Sequence, residues 1–473
     1  MKKIFISILA AAAAFTACNT AVEPDYGYEI KDGVAVYNTP ERPADQVCMI
    51  GFAAEPIETV RVGFIGLGDR GDGAVNRYTY LDGVEIVALC DIEEERVKDM
   101  NKLLAERGKP AADEYFGSTE AWKELCQRDD IDLVYIVTDW LNHTPMAVYA
   151  MEQGKHVAIE VPAATSIEEC WQLVNTAEKT QRHCMMLENC VYDDFELTTL
   201  NMAQHGLFGE VIHAEGAYIH NLDPFWKNYY KAWRYHYNKD KRGDVYPTHG
   251  MGPACQVLNI HRGDKMNTLI SMDTKAFNGL KVAEQHGEAD YSYTNGDHTF
   301  TLIQTEKGKV IEIQHNVVTP RPYNRMYQVE GTEGFANKYP NEGFAIRTVG
   351  RNIDEVKTQD DLSGSASDGE EYLSTEERNA YLEKYQHPIV KDILKKAKEV
   401  GGHGGMDFIM DYRLIYCLHN GLPLDQDVYD AAEWSCLGEL SRVSIENGNI
   451  PVVMPDFTRG DWNKLDGLKL HLK

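Results

Sequence analysis

The chain has 473 residues, 43% of them hydrophobic, which is enough apolar material for more than one core, so two domains are expected. A formal net charge of -27 opposes polyanionic partners and excludes nucleic acid and a bare anionic membrane surface. The ten cysteines contain no Cys-x-x-Cys pair, and Cys90, Cys170, Cys184, Cys190 and Cys417 lie in apolar stretches, so they read as small buried thiols and no metal site is expected.

Residues 1–17 carry two lysines and then an apolar run ending Phe15-Thr16-Ala17 before Cys18. The run is about half the roughly 20 residues that a spanning helix needs. It reads as a secretory leader with a lipidation cysteine, and the mature chain is expected to be an exported lipoprotein on the periplasmic side or the cell surface. Membrane attachment would come only through lipid on Cys18. Residues 18–55, with Pro24, Pro40 and Pro43 among polar residues, read as the lipidated tether.

From residue 56 to residue 190, strands and helices alternate. Arg61 to Gly71 reads as a buried strand running into Gly66-x-Gly68-x-x-Gly71 and a helix. The next apolar strand, Val84 to Cys90, ends in Asp91, 20 residues beyond Gly71. That spacing suits a carboxylate accepting from ribose hydroxyls and repelling a 2'-phosphate, so NAD is expected over NADP; the plainer reading of Asp91 is a helix cap. Further strands are Ile131 to Val137 and Lys155 to Glu160. The alternation predicts an α/β Rossmann domain with a doubly wound parallel sheet.

Residues 191–460 change character. Val211 to Ile219, Thr299 to Gln304 and Val310 to Gln314 read as strands of a largely antiparallel sheet in an α+β substrate-binding domain. Residues 351–402 read as a helical insertion with a capping box at Ser374-x-x-Glu377, and Met406 to Asn420 as an amphipathic helix packed back on the core.

Glu160-Val161-Pro162 stands where the glucose-fructose oxidoreductase and inositol dehydrogenase superfamily carries Glu-Lys-Pro, whose lysine assists hydride transfer. Further strings are His183 to Cys190, Ala214 to His220, Tyr246-Pro247-Thr248-His249-Gly250 and Gly404 to Phe408. With the valine in place of lysine, the chain resembles glycoside hydrolase family 109, the NAD-dependent α-N-acetylgalactosaminidase family within that superfamily. The resemblance implies that Gly66, Gly68, Asp69, Arg70, Gly71, Asp91, Trp140, Leu141, Asn142, His143, Glu160, Val161 and Asn189 hold NAD. It implies substrate contacts at Tyr218, Arg234, Tyr246, Pro247, Thr248, His249 and Tyr323. His249 is the leading acid-base candidate, with Tyr192 as its partner. Glu188 is read as a buried carboxylate that orients its neighbours, and Tyr218 and His220 also suit a half-buried strand.

The chemistry implied by the resemblance is oxidation of a sugar at C3 by tightly bound NAD, proton removal at C2, elimination of the glycosidic bond, addition of water and re-reduction. The cofactor ends each turnover as it began, which suits a location without a system to recycle it. The expected partner is a glycan or glycoside, and self-association into a homo-oligomer is left open. Two other readings are an NAD-dependent sugar dehydrogenase and a non-catalytic sugar-binding lipoprotein. The first would want the missing lysine, and the second would need neither the glycine fingerprint nor His249.

Overall fold

The computed structural model describes residues 26–226, 233–287, 292–347 and 369–473. The leader, Cys18 and part of the predicted insertion lie outside the described residues. The first described elements are a hairpin, Tyr28–Lys31 (β1) and Val34–Tyr37 (β2). This corrects the tether: β2 pairs in parallel with Val452–Val453 near the C-terminus, and Ala35 and Tyr37 are buried. Arg42 then donates to Glu178 and Asp461, and the Met49 amide donates to the Tyr429 hydroxyl. From Tyr26 on, the segment is thus bound into the fold, because its side chains and backbone pair with groups on both halves of the molecule.

The nucleotide half is a six-stranded parallel sheet built from Val60–Ile65 (β3), Val84–Cys90 (β4), Asp113–Tyr115 (β5), Leu133–Ile136 (β6), His156–Ile159 (β7) and Cys184–Met186 (β8). β6, β7 and β8 are buried along their whole length, as expected for strands covered by helices on both faces. The order is β5-β4-β3-β6-β7-β8, so the direction of winding reverses between β3 and β6. That reversal opens a crevice beyond the carboxyl ends of the strands.

The second sheet has ten strands. Val211–Ile219 (β9), Met266–Asp273 (β10), Thr299–Thr305 (β11), Val310–Asn316 (β12), Asn324–Gly331 (β13), Gly334–Asn337 (β14) and Gly343–Ile346 (β15) join the hairpin and Val452–Val453 (β16). Their order is β1-β2-β16-β10-β11-β12-β9-β13-β14-β15, antiparallel except at β12/β9 and β16/β2. β11 and β12 alternate buried and less buried residues, the pattern of a sheet covered on one face. Helix Thr248–Val257 packs on β9 so closely that a Cβ on Gly250 would lie 2.6 Å from the Ala217 nitrogen.

Helix Met406–Asn420 returns to the nucleotide half, where Arg77 donates to Asp411 at 2.7 Å. Helix Val428–Ser435 packs on helix Ile167–Thr180. The capping box forms as read, opening helix Thr375–Lys384 with no buried residue. All nine cysteines among the described residues are free, eight of them buried.

Candidate active site

A cleft of about 1130 Å³ runs from the glycine turn across the carboxyl ends of β3 and β7 to the tyrosines of β9 and beyond. Gly66 has φ +92°, and a Cβ there would sit 2.3 Å from the Val137 carbonyl oxygen, so the turn demands glycine. Gly71 lies behind the turn, where a Cβ would meet the Gly66 oxygen at 2.1 Å. Asp91 stands on the wall with one carboxylate oxygen accepting from the Leu67 amide at 2.7 Å and the other from the Glu93 amide at 2.9 Å. It does not cap the following helix, whose cap residue is Glu93. A tight glycine turn opening a helix, with a carboxylate at the end of the next strand, fits NAD in this crevice. Gly66, Gly68, Asp69, Arg70 and Asp91 line it at one end, and Asn142, His143, Glu160, Val161 and Asn189 line it further along.

The far wall is aromatic. Asp139 caps helix Trp140–Glu152, so Trp140 opens a helix, and its ring stacks on Tyr246 at 5.2 Å. The Arg234 guanidinium lies 4.6 Å from the Tyr246 ring and 5.0 Å from the Trp140 ring, within cation-π range of both. Tyr218 meets Tyr246 edge-on at 4.7 Å and hydrogen-bonds His220 Nδ1 at 3.0 Å. Tyr323, 42% exposed, stands at the rim with its ring 5.0 Å from His220. Burial pushes the His220 pKa down, and neighbouring Arg234, His249 and His403 push it further, which keeps that imidazole neutral and able to accept from Tyr218.

His249 sits in the first turn of helix Thr248–Val257, facing the cleft. Its Nδ1 lies 2.7 Å and 3.0 Å from the two oxygens of Glu188, which is fully buried and also accepts from the Cys190 amide at 2.8 Å. Burial alone would push the Glu188 carboxyl up, but His249 and the Cys190 amide outweigh it and hold it below its usual value. An ionised carboxylate can only accept, so Nδ1 carries a proton, and in the neutral imidazole Nε2 is then the acceptor, 3.3 Å from the Tyr246 hydroxyl. Helix and carboxylate meet because Gly252 has no side chain: a Cβ there would lie 2.8 Å from Glu188 Cγ. Glu188, Cys190 and His249 also bring three potential metal-ligand atoms within 4.8 Å, but the Nδ1–Oε2 contact is a hydrogen bond that already uses both atoms.

Residues 192–464 match the model for the C-terminal domain of glycosyl hydrolase 109, and residues 60–188 match that for the NAD-binding Rossmann fold of an oxidoreductase family. Glycosyl hydrolase family 109 protein 1 of Bacteroides thetaiotaomicron is 56% identical over 470 residues, 99% of each chain. The Bacteroides fragilis protein of the same name is 58% identical over 431 residues, 91% of this chain and 92% of its own. The chain belongs to glycosyl hydrolase family 109. It is a glycoside hydrolase whose cofactor is NAD. Its fold is shared with levoglucosan dehydrogenase in complex with NADH and L-sorbose (TM-score 0.61, 15% identity, 84% of this chain and 100% of that one). It is shared also with Lactobacillus casei myo-inositol dehydrogenase in complex with NAD(H) and myo-inositol (TM-score 0.56, 16% identity, 85% and 99%).

Five residues of this family 109 hydrolase expected at the site do not line the cleft, Gly71 behind the turn being the first. Tyr192 is buried and its hydroxyl donates to Asp425 at 3.3 Å, so the partner of His249 is Glu188. Leu141 is 58% exposed on the first turn of its helix, while Pro247 and Thr248 are buried behind His249. His220, Trp233, His403 and Met406 line the cleft without having been singled out for it. The spacing Tyr218-x-His220 on a strand, which puts both side chains on one face, was the available signal for His220. No local pattern announces His403, which is brought in by a glycine loop from the far end of the chain.

Proposed function

We propose that this cleft releases N-acetylgalactosamine from α-linked glycans, with bound NAD supplying reversible oxidation of the sugar at C3. The observation that carries the reading is the pair of buried Glu188 with His249, which opens onto the same cleft as the glycine turn. A C3 ketone acidifies the C2 proton, and a side-chain base can then remove it. His249 Nε2 is that base. Glu188 fixes the ring through Nδ1 and stabilises the imidazolium that forms, as a buried carboxylate does for any histidine base. Loss of the C1 substituent by elimination, its oxygen taking a proton from solvent, leaves an unsaturated sugar; water adds at C1 and gives its proton back to solvent, and C2 is reprotonated from His249 after the Nε2 proton has exchanged with solvent. Tyr218, Tyr246 and Tyr323 offer hydroxyls and ring faces to a pyranose, and Arg234 is steadied by the Trp140 and Tyr246 rings.

Val161, 5% exposed, lines the cleft where the resemblance puts a lysine in sugar dehydrogenases, and its side chain can neither give nor take a proton. This favours a glycosidase that restores its own cofactor over a dehydrogenase that releases NADH. The export reading rests on residues 1–18 alone: we place the enzyme outside the cytosol, held by lipid on Cys18, where a cofactor that ends each turnover unchanged needs no recycling system.

Turnover of an N-acetylgalactosaminide in heavy water tests the route. The product should carry deuterium at C2, and NADH should not accumulate in proportion to product. Product without deuterium at C2 would refute the redox route even if the glycosidic bond were cleaved.

A further inference from the structure

The loop before helix Met406–Asn420 holds five consecutive residues at positive φ: Gly401 (91°), Gly402 (83°), His403 (47°), Gly404 (75°) and Gly405 (108°). Four of the five are glycines, as this backbone requires. The loop delivers Asp407 to the nucleotide half, and a Cβ on Gly402 would lie 2.7 Å from the Asp407 Cβ. Asp407 is 1% exposed. Its Oδ2 accepts from Arg70 Nη1 at 2.8 Å and lies 2.9 Å from His403 Nδ1, while its Oδ1 accepts from the Asn189 amide at 2.6 Å. Arg70 turns its other nitrogens on Glu160, with Nε 3.0 Å and Nη2 2.7 Å from Oε1. Burial would raise the Asp407 pKa, but Arg70, His403 and Arg77 hold it well below the usual carboxylate range.

The placement of these groups matters more than their number. Arg70 follows β3 and Glu160 follows β7, and β6 lies between those strands. The guanidinium therefore crosses the carboxyl end of β6, at the point where the winding reverses and a dinucleotide crevice opens. Arg70, Glu160, Asn189, His403 and Met406 all line the cleft, whereas Asp407 touches it only through them.

We propose that Asp407 is a positioning residue for cofactor retention: it anchors Arg70 and Asn189 so that the Glu160–Arg70–Asp407 linkage straps the crevice, and NAD leaves only when the strap opens. The inference rests on NAD as the cofactor and is independent of the glycosidic chemistry. An enzyme that restores its cofactor at every turnover gains from holding it, and a strap fastened from the C-terminal helix couples both halves of the chain to that hold. His403, at φ 47°, adds its Nδ1 to the same linkage, 2.9 Å from Asp407 Oδ2.

The experiment loads the full-length protein with labelled NAD and follows its loss into excess unlabelled NAD. Asp407→Asn keeps the shape but replaces a charge-assisted bond with a neutral one, and should speed NAD release about tenfold or more. Arg70→Met should do the same, and the double variant should be no faster than either single one, because both act through one linkage. Asp407→Glu should recover part of the retention. Unchanged release in Asp407→Asn, or fully additive effects in the double variant, would overturn the proposal, the second by showing a general loosening. If Asp407→Asn does not fold, Arg70→Met, whose side chain is 32% exposed, carries the test alone, and unchanged release would again overturn it. Release is read without any glycoside, so its failure leaves the proposed cleavage untouched.

Discussion

His249 and His261 both sit against carboxylates, and their surroundings assign them different work. His249 has one carboxylate on Nδ1, and its side chain is 13% exposed in a cleft where Nε2 lies 3.3 Å from a tyrosine hydroxyl. His261 is fully buried, with Glu433 at 2.6 Å from Nδ1, Asp427 at 3.2 Å from Nε2, Asp430 at 3.7 Å, and Arg262 bonded to Asp430 beside it. Burial and Arg262 would lower the His261 pKa, but Asp427, Glu433 and Asp430 together raise it to about 10. His261 is held as a cation at neutral pH, where it neutralises carboxylates and pins the loop at 259–264 to helix Val428–Ser435. A carboxylate neighbour alone does not make a proton-transfer group; one nitrogen must remain available to the cleft.

The sharpest way to break this comparison is His249→Ala. It should lower turnover about 10³-fold while NAD stays bound, the scale of a lost proton-transfer group. Near-normal activity would move the base elsewhere. Glu188→Gln keeps the shape but removes the charge that steadies the imidazolium, and kcat should fall about 10²-fold, with bound NAD and melting temperature checked on the same sample. If kcat is unchanged, Glu188 is only a packing partner.

His261→Leu should act in the opposite sense, lowering stability by about 3–5 kcal/mol because buried carboxylates lose their cation, with activity per folded molecule preserved. Urea unfolding gives the first number and active-site titration the second. The pH dependence follows from the raised pKa. His261 contributes stability in full below its ordinary value of 6.5 and loses it as pH rises through about 10, so the urea midpoint of the wild type should fall on the alkaline side more steeply than that of His261→Leu. Tyr192→Phe should be the mildest, within about threefold in kcat and costing about 1 kcal/mol for the lost bond to Asp425. A large loss of kcat would restore Tyr192 as a catalytic partner.

The nucleotide half was legible because its signals are local. Strands buried on both faces read as continuous apolar runs, and the glycine spacing reports a turn that no side chain fits, as Gly66 shows. The hairpin at 28–37 was not, since its four-residue strands reach the core only through the pairing of β2 with β16, which sets the buried Ala35 opposite Val452. Tyr192 and Glu188 exchanged importance for a related reason. The 3-10 turn Cys190–Tyr192 sends the tyrosine to Asp425, whereas the chain just before it leaves Glu188 under a helix that arrives much later.

By itself the sequence determined the strand order of chemistry along the chain: a glycine turn, an acid after the second strand, a valine where a lysine could stand, and a Tyr-Pro-Thr-His string. These are properties of residue type and spacing, and they survive without knowledge of contacts. Only the tertiary structure decided that Glu188 serves His249, that Asp407 reaches Arg70, and that His261 is locked away from solvent. Each of those depends on a pair of side chains from distant segments meeting at hydrogen-bond distance. Spacing in sequence carries no information about such a meeting, because it is set by how helices close on the two sheets.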